Sequence, residues 1–103
     1  MADITSEITV TDVTELCGGK KLLVITAPIA AADTTITLTA ATHGITAITG
    51  CIGVITAGMD ADFCAIQVKT SGLVITVTSI QEDGGAADEF TGTTIELFVI
   101  GSV

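Results

Sequence analysis

His43 is the only histidine in the chain of 103 residues, and it is the side chain best suited to acid–base chemistry near neutral pH. A catalytic or metal-binding histidine needs partners at a suitable spacing, and the sequence contains neither an HxH nor an HExxH motif. His43 lies in the segment ATHG, whose composition is typical of a turn or of one short helical turn. We therefore interpret His43 as a solvated turn residue.

The three cysteines are the candidate nucleophiles and metal ligands, and they stand at positions 17, 51 and 64 with no CxxC spacing. Neither a disulfide framework nor a zinc site is predicted from an odd number of widely spaced cysteines. Only Cys17 has basic residues nearby in the sequence, namely Lys20 and Lys21. We interpret the cysteines as small hydrophobic residues that are buried and stay reduced.

Carboxylates cluster at two places where a cation could bind. Asp60 and Asp62 are two residues apart, as in a calcium loop, but the glycine and the distal glutamate of an EF-hand are absent. Residues 81–92 (QEDGGAADEFTG) hold four acidic residues and two adjacent glycines. We interpret the aspartates as turn caps and residues 81–92 as a flexible acidic loop, so no metal or other cofactor is expected.

Glycines at positions 50, 53 and 58 give the centre of the chain a superficial likeness to a phosphate-binding loop. The GxGxxG pattern and the GK[ST] ending are both missing, and no GxSxG motif or nucleophile–base pair occurs elsewhere. Glycines inside runs of β-branched residues mark bulges or close approaches of the backbone. The sequence therefore predicts a protein that is not an enzyme.

Charge and hydropathy limit the partners that the chain can have. Twelve acidic residues face three lysines and no arginine, which gives a formal charge of −9 and disfavours nucleic acids and anionic membrane surfaces. The longest apolar stretch, Leu22–Ala32, is too short to span a bilayer and contains Pro28. The acidic N-terminus has no secretory signal. We expect neither a nucleic acid nor a membrane as partner.

The elements that must position these residues are β-strands. Hydrophobic residues make up 49% of the chain, mostly Ile, Val, Leu and Ala, and threonine is abundant. Because β-branched side chains suit pleated sheets, the composition indicates an all-β protein. The segments with strand character are Glu7–Thr14, Leu22–Thr26, Thr34–Ala40, Ala47–Thr56, Phe63–Lys69, Leu73–Ile80 and Thr93–Ile100.

We predict one domain over residues 1–103, an antiparallel β-sandwich or a squashed, jelly-roll-like barrel of about seven to eight short strands. Residues 1–6 could form an N-terminal arm that reaches a neighbour. The parity of the apolar residues changes near Thr11–Asp12, which predicts a bulge, unless two short strands abut there. Ala47–Thr56 is either one bent strand or two short ones. The predicted core consists of Ile36, Leu38, Ile66, Val68, Leu73, Ile75, Val77, Ile95, Leu97 and Val99.

The apolar content exceeds what a thin sandwich of this size can bury, so we predict self-association. Leu22–Thr26 and Thr93–Ile100 are apolar at both parities, as in strands that are covered on both faces. Lys20 and Lys21 either protect a strand edge or contact an acidic neighbouring subunit. The predicted interface residues are Ile4, Ile8, Val10, Lys20, Lys21, Phe98 and Ile100.

The order of these segments resembles that of small virion structural proteins of tailed bacteriophages. The shared features are a basic and apolar strand (Lys20–Thr26), a threonine-rich strand with an HGI turn (Asp33–Ile45), a hairpin around Gly72–Val77 and a terminal VIG (Val99–Gly101). The resemblance implies a decoration or cement protein, often trimeric, that binds the major capsid protein on the outside of the head. It would be assembled in the host cytoplasm and located on the virion. A tail or fibre module, or a surface-exposed binding module, is the alternative.

Overall fold

The computed structural model describes residues 2–29, 33–58, 65–80 and 93–103. These residues form eight β-strands: β1 (Ala2–Asp3), β2 (Thr9–Leu16), β3 (Lys20–Pro28), β4 (Asp33–Thr37), β5 (Ala47–Ala57), β6 (Ala65–Ser71), β7 (Val74–Ile80) and β8 (Thr94–Ser102). Two single-turn helices accompany them, a 3-10 helix (Thr5–Glu7) and α1 (Ala40–His43). The acidic segments Asp60–Asp62 and 81–92, and Cys64, lie outside the described residues.

The strands form two four-stranded sheets that pack face to face. Sheet I has the order β1-β4-β7-β6, and sheet II has the order β2-β3-β8-β5. Every pairing between these described strands is antiparallel except the two-residue parallel pairing of β1 with β4. The prediction of an all-β sandwich is therefore confirmed, and the predicted hairpin is the antiparallel pair β6–β7.

Alternation along the strands builds the core between the sheets. Along β8, Ile95, Leu97 and Val99 are fully buried, and the residues between them are partly exposed. The other predicted core residues are buried as well, or partly buried against the core in the case of Ile66, Val68 and Leu73. Six further core residues were not predicted from the sequence, namely Ile4, Leu23, Ile25, Ala27, Ile29 and Ile45.

The N-terminal residues do not extend toward a neighbour as an arm. Residues Ala2–Asp3 pair with β4, and the backbone N–H of Ile4 donates to the carbonyl of Thr35 at 3.0 Å. The Thr5 hydroxyl and N–H donate to the Asp3 carboxylate and lower its pKa. Since Ile4 is 1% exposed, its assignment to an interface is wrong, and it acts as a core residue instead.

The two predicted irregularities are present, and both lie in edge strands. The pairing of β2 with β3 shifts register between Val10 and Asp12, which confirms the bulge. β5 is one continuous strand whose register against β8 shifts twice, between Ile48 and Gly50 and again near its end. A bulge twists an edge strand, so both edges of sheet II are less regular templates for further pairing.

Two expectations about β3 are corrected by its position. β3 pairs with β2 on one side and β8 on the other, so Lys20 and Lys21 do not protect an edge. Only one face of β3 is covered, because Leu23 and Ile25 are buried whereas the alternate residues are partly exposed. Apolar residues at both parities therefore mark a central strand with an uncovered outer face.

The turn that contains His43 is held by its own side chains. The Thr39 hydroxyl accepts from the Thr42 N–H at 3.2 Å, and the Thr39 N–H donates to Nδ1 of His43 at 2.9 Å. Gly44 ends α1 with φ of 76° and donates its N–H to the carbonyl of Ala40. The turn thus brings the chain from sheet I to sheet II in a fixed geometry, and the predicted helical turn is confirmed.

Candidate interaction surface

The outer faces of the two sheets differ in chemistry. Register assigns Thr35, Thr76 and Lys69 to one row of the outer face of sheet I, and Asp33, Thr78 and Gln67 to the next. The Thr78 hydroxyl donates to the Asp33 carboxylate at 2.9 Å. This face is polar, as expected for a sheet surface that is hydrated.

The centre of the outer face of sheet II carries aliphatic side chains and one phenylalanine. Directly paired residues of antiparallel strands share a face, so the register defines four successive rows across β2, β3, β8 and β5. These rows are Leu16, Lys20, Ser102 and Ala47; then Thr14, Leu22, Ile100 and Gly50; then Asp12, Val24, Phe98 and Ile52; then Thr9, Thr26, Glu96 and Val54. We call the six residues Leu22, Val24, Ile52, Val54, Phe98 and Ile100 the apolar face.

The apolar face is partly exposed and uneven. Ile52 is 68% exposed, Val54 and Ile100 are exposed, and the other three residues are partly buried. Gly50 lies two residues before Ile52 on the same face of β5, and a Cβ atom at Gly50 would meet no atom within 4 Å. A projecting isoleucine therefore lies beside an empty position.

Three charged residues lie on the outer face of sheet II: Asp12 stands in the third row on edge strand β2, and Lys20 and Glu96 lie at opposite ends of the face. Lys20 lies in the first row, where its Nζ donates to Oγ of Ser102 at 2.9 Å. Glu96 lies in the fourth row, six residues along β8 from Ser102, or roughly 20 Å at ~3.3 Å per residue. This separation is too long for an ion pair within one chain.

Only three of the predicted interface residues meet on this face, namely Lys20, Phe98 and Ile100. Ile8 is half-buried against the core, and Val10 is exposed on the inner side of β2. Lys21 belongs to the inner side of β3, where its Nζ lies 2.7 Å from the position of a Cβ on Gly44.

Four members of the apolar face were not predicted from the sequence, namely Leu22, Val24, Ile52 and Val54. Leu22 and Val24 could have been identified, because Leu22–Thr26 has apolar residues at both odd and even positions. The other two could be assigned only from the register of β5, which its bulge changes.

The remaining reactive side chains among the described residues are His43, Cys51 and Cys17. Nδ1 of His43 accepts a backbone hydrogen bond, and burial raises the pKa of the Cys51 thiol to about 11. Cys17 is exposed in the turn between β2 and β3. Within the described ranges, no group of three or more His, Cys, Asp or Glu could hold a metal ion, and no pocket is present. The described part of the chain also has no helix of the length and apolarity needed to cross a membrane.

Thiol labelling of the folded protein should distinguish Cys17 from Cys51. With a pKa of about 11, only on the order of 0.1% of Cys51 is thiolate at pH 8, and the side chain packs against the core. We expect iodoacetamide to modify Cys17 at least about tenfold faster, as read by peptide mass mapping. Labelling in denaturant is the control, since unfolding should make the two rates similar. Equal rates in the folded protein would contradict the burial of Cys51.

Together, the fold and this surface define a small β-sandwich with one polar and one apolar outer sheet face. Comparison with protein-family models, with curated proteins and with solved structures finds no match to this chain.

Proposed function

We propose that the protein is a non-enzymatic virion structural protein, a decoration or cement protein that stabilises the outside of a phage head as an oligomer. Its partners are further copies of itself and the major capsid protein, and its location is the virion. The observation that carries the proposal is the apolar face of sheet II, which a protein acting alone in water would leave exposed. The order of the sequence segments, which resembles that of such phage proteins, supplies the capsid context.

The two outer faces suit a protein that lies between an assembly and solvent. The apolar face can be covered by another protein, whereas the polar rows of sheet I can remain hydrated. A formal charge of −9 keeps an apolar-rich chain dispersed before assembly and disfavours contact with packaged nucleic acid. The chain therefore combines a surface for association with a surface for solubility.

The described side chains favour binding over catalysis. His43 is held in a turn hydrogen bond, and burial raises the pKa of the Cys51 thiol to about 11, which lowers its thiolate fraction further. A nucleophile needs an adjacent base or a lowered pKa, and Cys51 shows the opposite shift. These features support a role that depends on protein–protein contacts.

Cryo-electron microscopy of particles from cells that produce the chain tests the proposal. We expect density of a 10.3 kDa β-sandwich at regular lattice positions on the outer surface of the head. Density confined to the tail or fibres would replace the decoration role by the alternative phage module. Absence from purified particles would reject both roles and leave a surface-exposed binding module.

A further inference from the structure

We propose that two copies of the chain stack through the apolar face of sheet II, related by a two-fold axis that runs across the strands. The axis passes between the row of Leu22 and the row of Val24. This inference specifies the self-contact of the oligomer proposed above. It is tested on the purified chain alone, so its failure is distinguishable from failure of the capsid role.

When one copy is rotated about this axis, the outer side chains of its β5 fit those of β5 in the second copy. Rotation exchanges the row of Leu22 with the row of Val24, so Ile52 of each copy comes to lie over Gly50 of the other. The most exposed isoleucine of the face then fills the space above Gly50, where even a Cβ atom would have no other atom within 4 Å. Both copies contribute one such contact, because a two-fold interface uses each contact twice.

The same rotation also pairs side chains of complementary size on the other strands. Leu22 faces Val24 of the second copy, and Ile100 faces Phe98, so an aliphatic side chain meets an aromatic ring. Val54 faces the small side chain of Ala47. Large residues thus oppose smaller ones or a glycine, as interdigitating sheet faces require.

Charge selects the direction of stacking. An axis across the strands brings the row of Lys20 against the row of Glu96 from the second copy, which gives two opposite-charge pairs at the ends of the face. An axis along the strands would keep each row opposite itself, so the lysines would approach each other and so would the glutamates. The pairs of Lys20 with Glu96 therefore favour antiparallel stacking, whereas the two Asp12 carboxylates on edge strand β2, which come to lie one row apart, oppose it.

The whole outer face of sheet II has an area near the lower limit of what a stable dimer needs. Four strands about 4.8 Å apart and nine residues of about 3.3 Å give a sheet of roughly 19 by 30 Å. Its projected area is on the order of 600 Å², and side-chain relief makes the accessible area larger. A standard interface buries about 800 Å² on each partner. Face-to-face stacking of sheet II reaches that class, whereas pairing of a single edge strand would bury less.

Exchanging the isoleucine at position 52 with the glycine at position 50 tests whether the two copies fit together at these positions. We expect the unaltered protein to have twice the 10.3 kDa chain mass in sedimentation equilibrium at micromolar concentration. Ile52→Gly should weaken the dimer about tenfold or more because the projection is lost. Gly50→Ile should weaken it about as much because two isoleucines then collide. The double variant G50I/I52G moves the projection to the other row and should restore the dissociation constant to within about threefold.

Exchange of the charges tests the direction of stacking. Lys20→Glu and Glu96→Lys should each weaken the dimer severalfold, and the variant carrying both should recover it. Lys69→Glu is the matched control, since it makes the same charge change on the outer face of sheet I. Val13→Gly is the control for the shape variants, because Val13 is 51% exposed on the inner side of β2. Both controls should leave the dimer unchanged.

Several results would overturn the proposal. A monomeric mass at micromolar concentration would remove the contact, and a trimeric mass, as the resemblance implies, would replace the two-fold axis. A dimer that tolerates Ile52→Gly would use another surface. A dimer weakened by both single variants but not recovered in G50I/I52G would use this face in another orientation. Circular dichroism of each variant shows whether loss of the dimer is caused by unfolding. A variant that is unfolded is replaced by Ile52→Ala or Gly50→Val.

Discussion

Leu97→Ala is expected to lower the free energy of unfolding by about 2–5 kcal/mol. Leu97 is fully buried in the middle of β8, the strand that pairs with both β3 and β5. Its Cδ2 atom lies 2.9 Å from the position of a Cβ on Gly53, so the side chain fills the space over the β5 backbone. Truncation leaves a cavity that strands held on both sides can only partly close.

Urea unfolding followed by circular dichroism measures this loss. Val103→Ala is the matched control, because Val103 is 59% exposed and should cost less than about 0.5 kcal/mol. Val13→Ala would serve equally well on the exposed inner side of β2. A loss at Leu97 no larger than that at Val103 would show that the inner and outer faces of sheet II are assigned the wrong way round.

Gly101→Ala should destabilise the protein by about 1–3 kcal/mol, although it adds only one methyl group. A Cβ atom at Gly101 would lie 2.8 Å from the backbone oxygen of Ala47 and 2.8 Å from Cδ1 of Ile45. The backbone oxygen belongs to β5, which is paired with β8 at this point. The methyl group can therefore be accommodated only if the two strands shift, and this disturbs the ladder between them.

Gly50→Ala provides the comparison for Gly101→Ala. Both glycines lie in the β5–β8 ladder, and a Cβ at Gly50 meets no atom within 4 Å. Without a clash inside the chain, alanine reduces the freedom of the unfolded chain and should leave the stability of the monomer unchanged or slightly raised. Thermal unfolding at a protein concentration where every variant is monomeric compares the variants, because Gly50 also belongs to the proposed dimer contact. Equal melting temperatures for the two would contradict the close approach at Gly101.

Much of the fold was predictable because alternation is a local property of the chain. The period of two in Thr34–Ala40 and in Thr93–Ile100 assigned the core side chains correctly, since burial of one face enforces that period. The bulge near Thr11 was also visible, because an extra residue changes the parity of the apolar positions. Composition alone indicated an all-β protein rather than a helical one, and the strand pattern left a sandwich and a squashed barrel as alternatives.

The ends of strands and the burial of single side chains depend on contacts between residues that are distant in the sequence. β4 ends at Thr37 rather than at Ala40, because α1 begins at Ala40 and Thr39 caps it, although the Leu38 N–H still donates to the carbonyl of Leu73 across the sheet. The N-terminal residues looked free, yet Ile4 completes the core beside β4. Neither contact has a signal in the residues next to it.

The candidate surface was only partly visible in the sequence. The chain by itself determined that its apolar content exceeds what one thin sandwich can bury, and that Phe98 and Ile100 lie on the face of β8 opposite the core. Tertiary structure decided that Leu22, Val24, Ile52 and Val54 join them, whereas Lys21 does not. The physical reason is register: alternation assigns each residue to a face of its own strand, but only pairing between distant strands decides which residues become neighbours across the sheet.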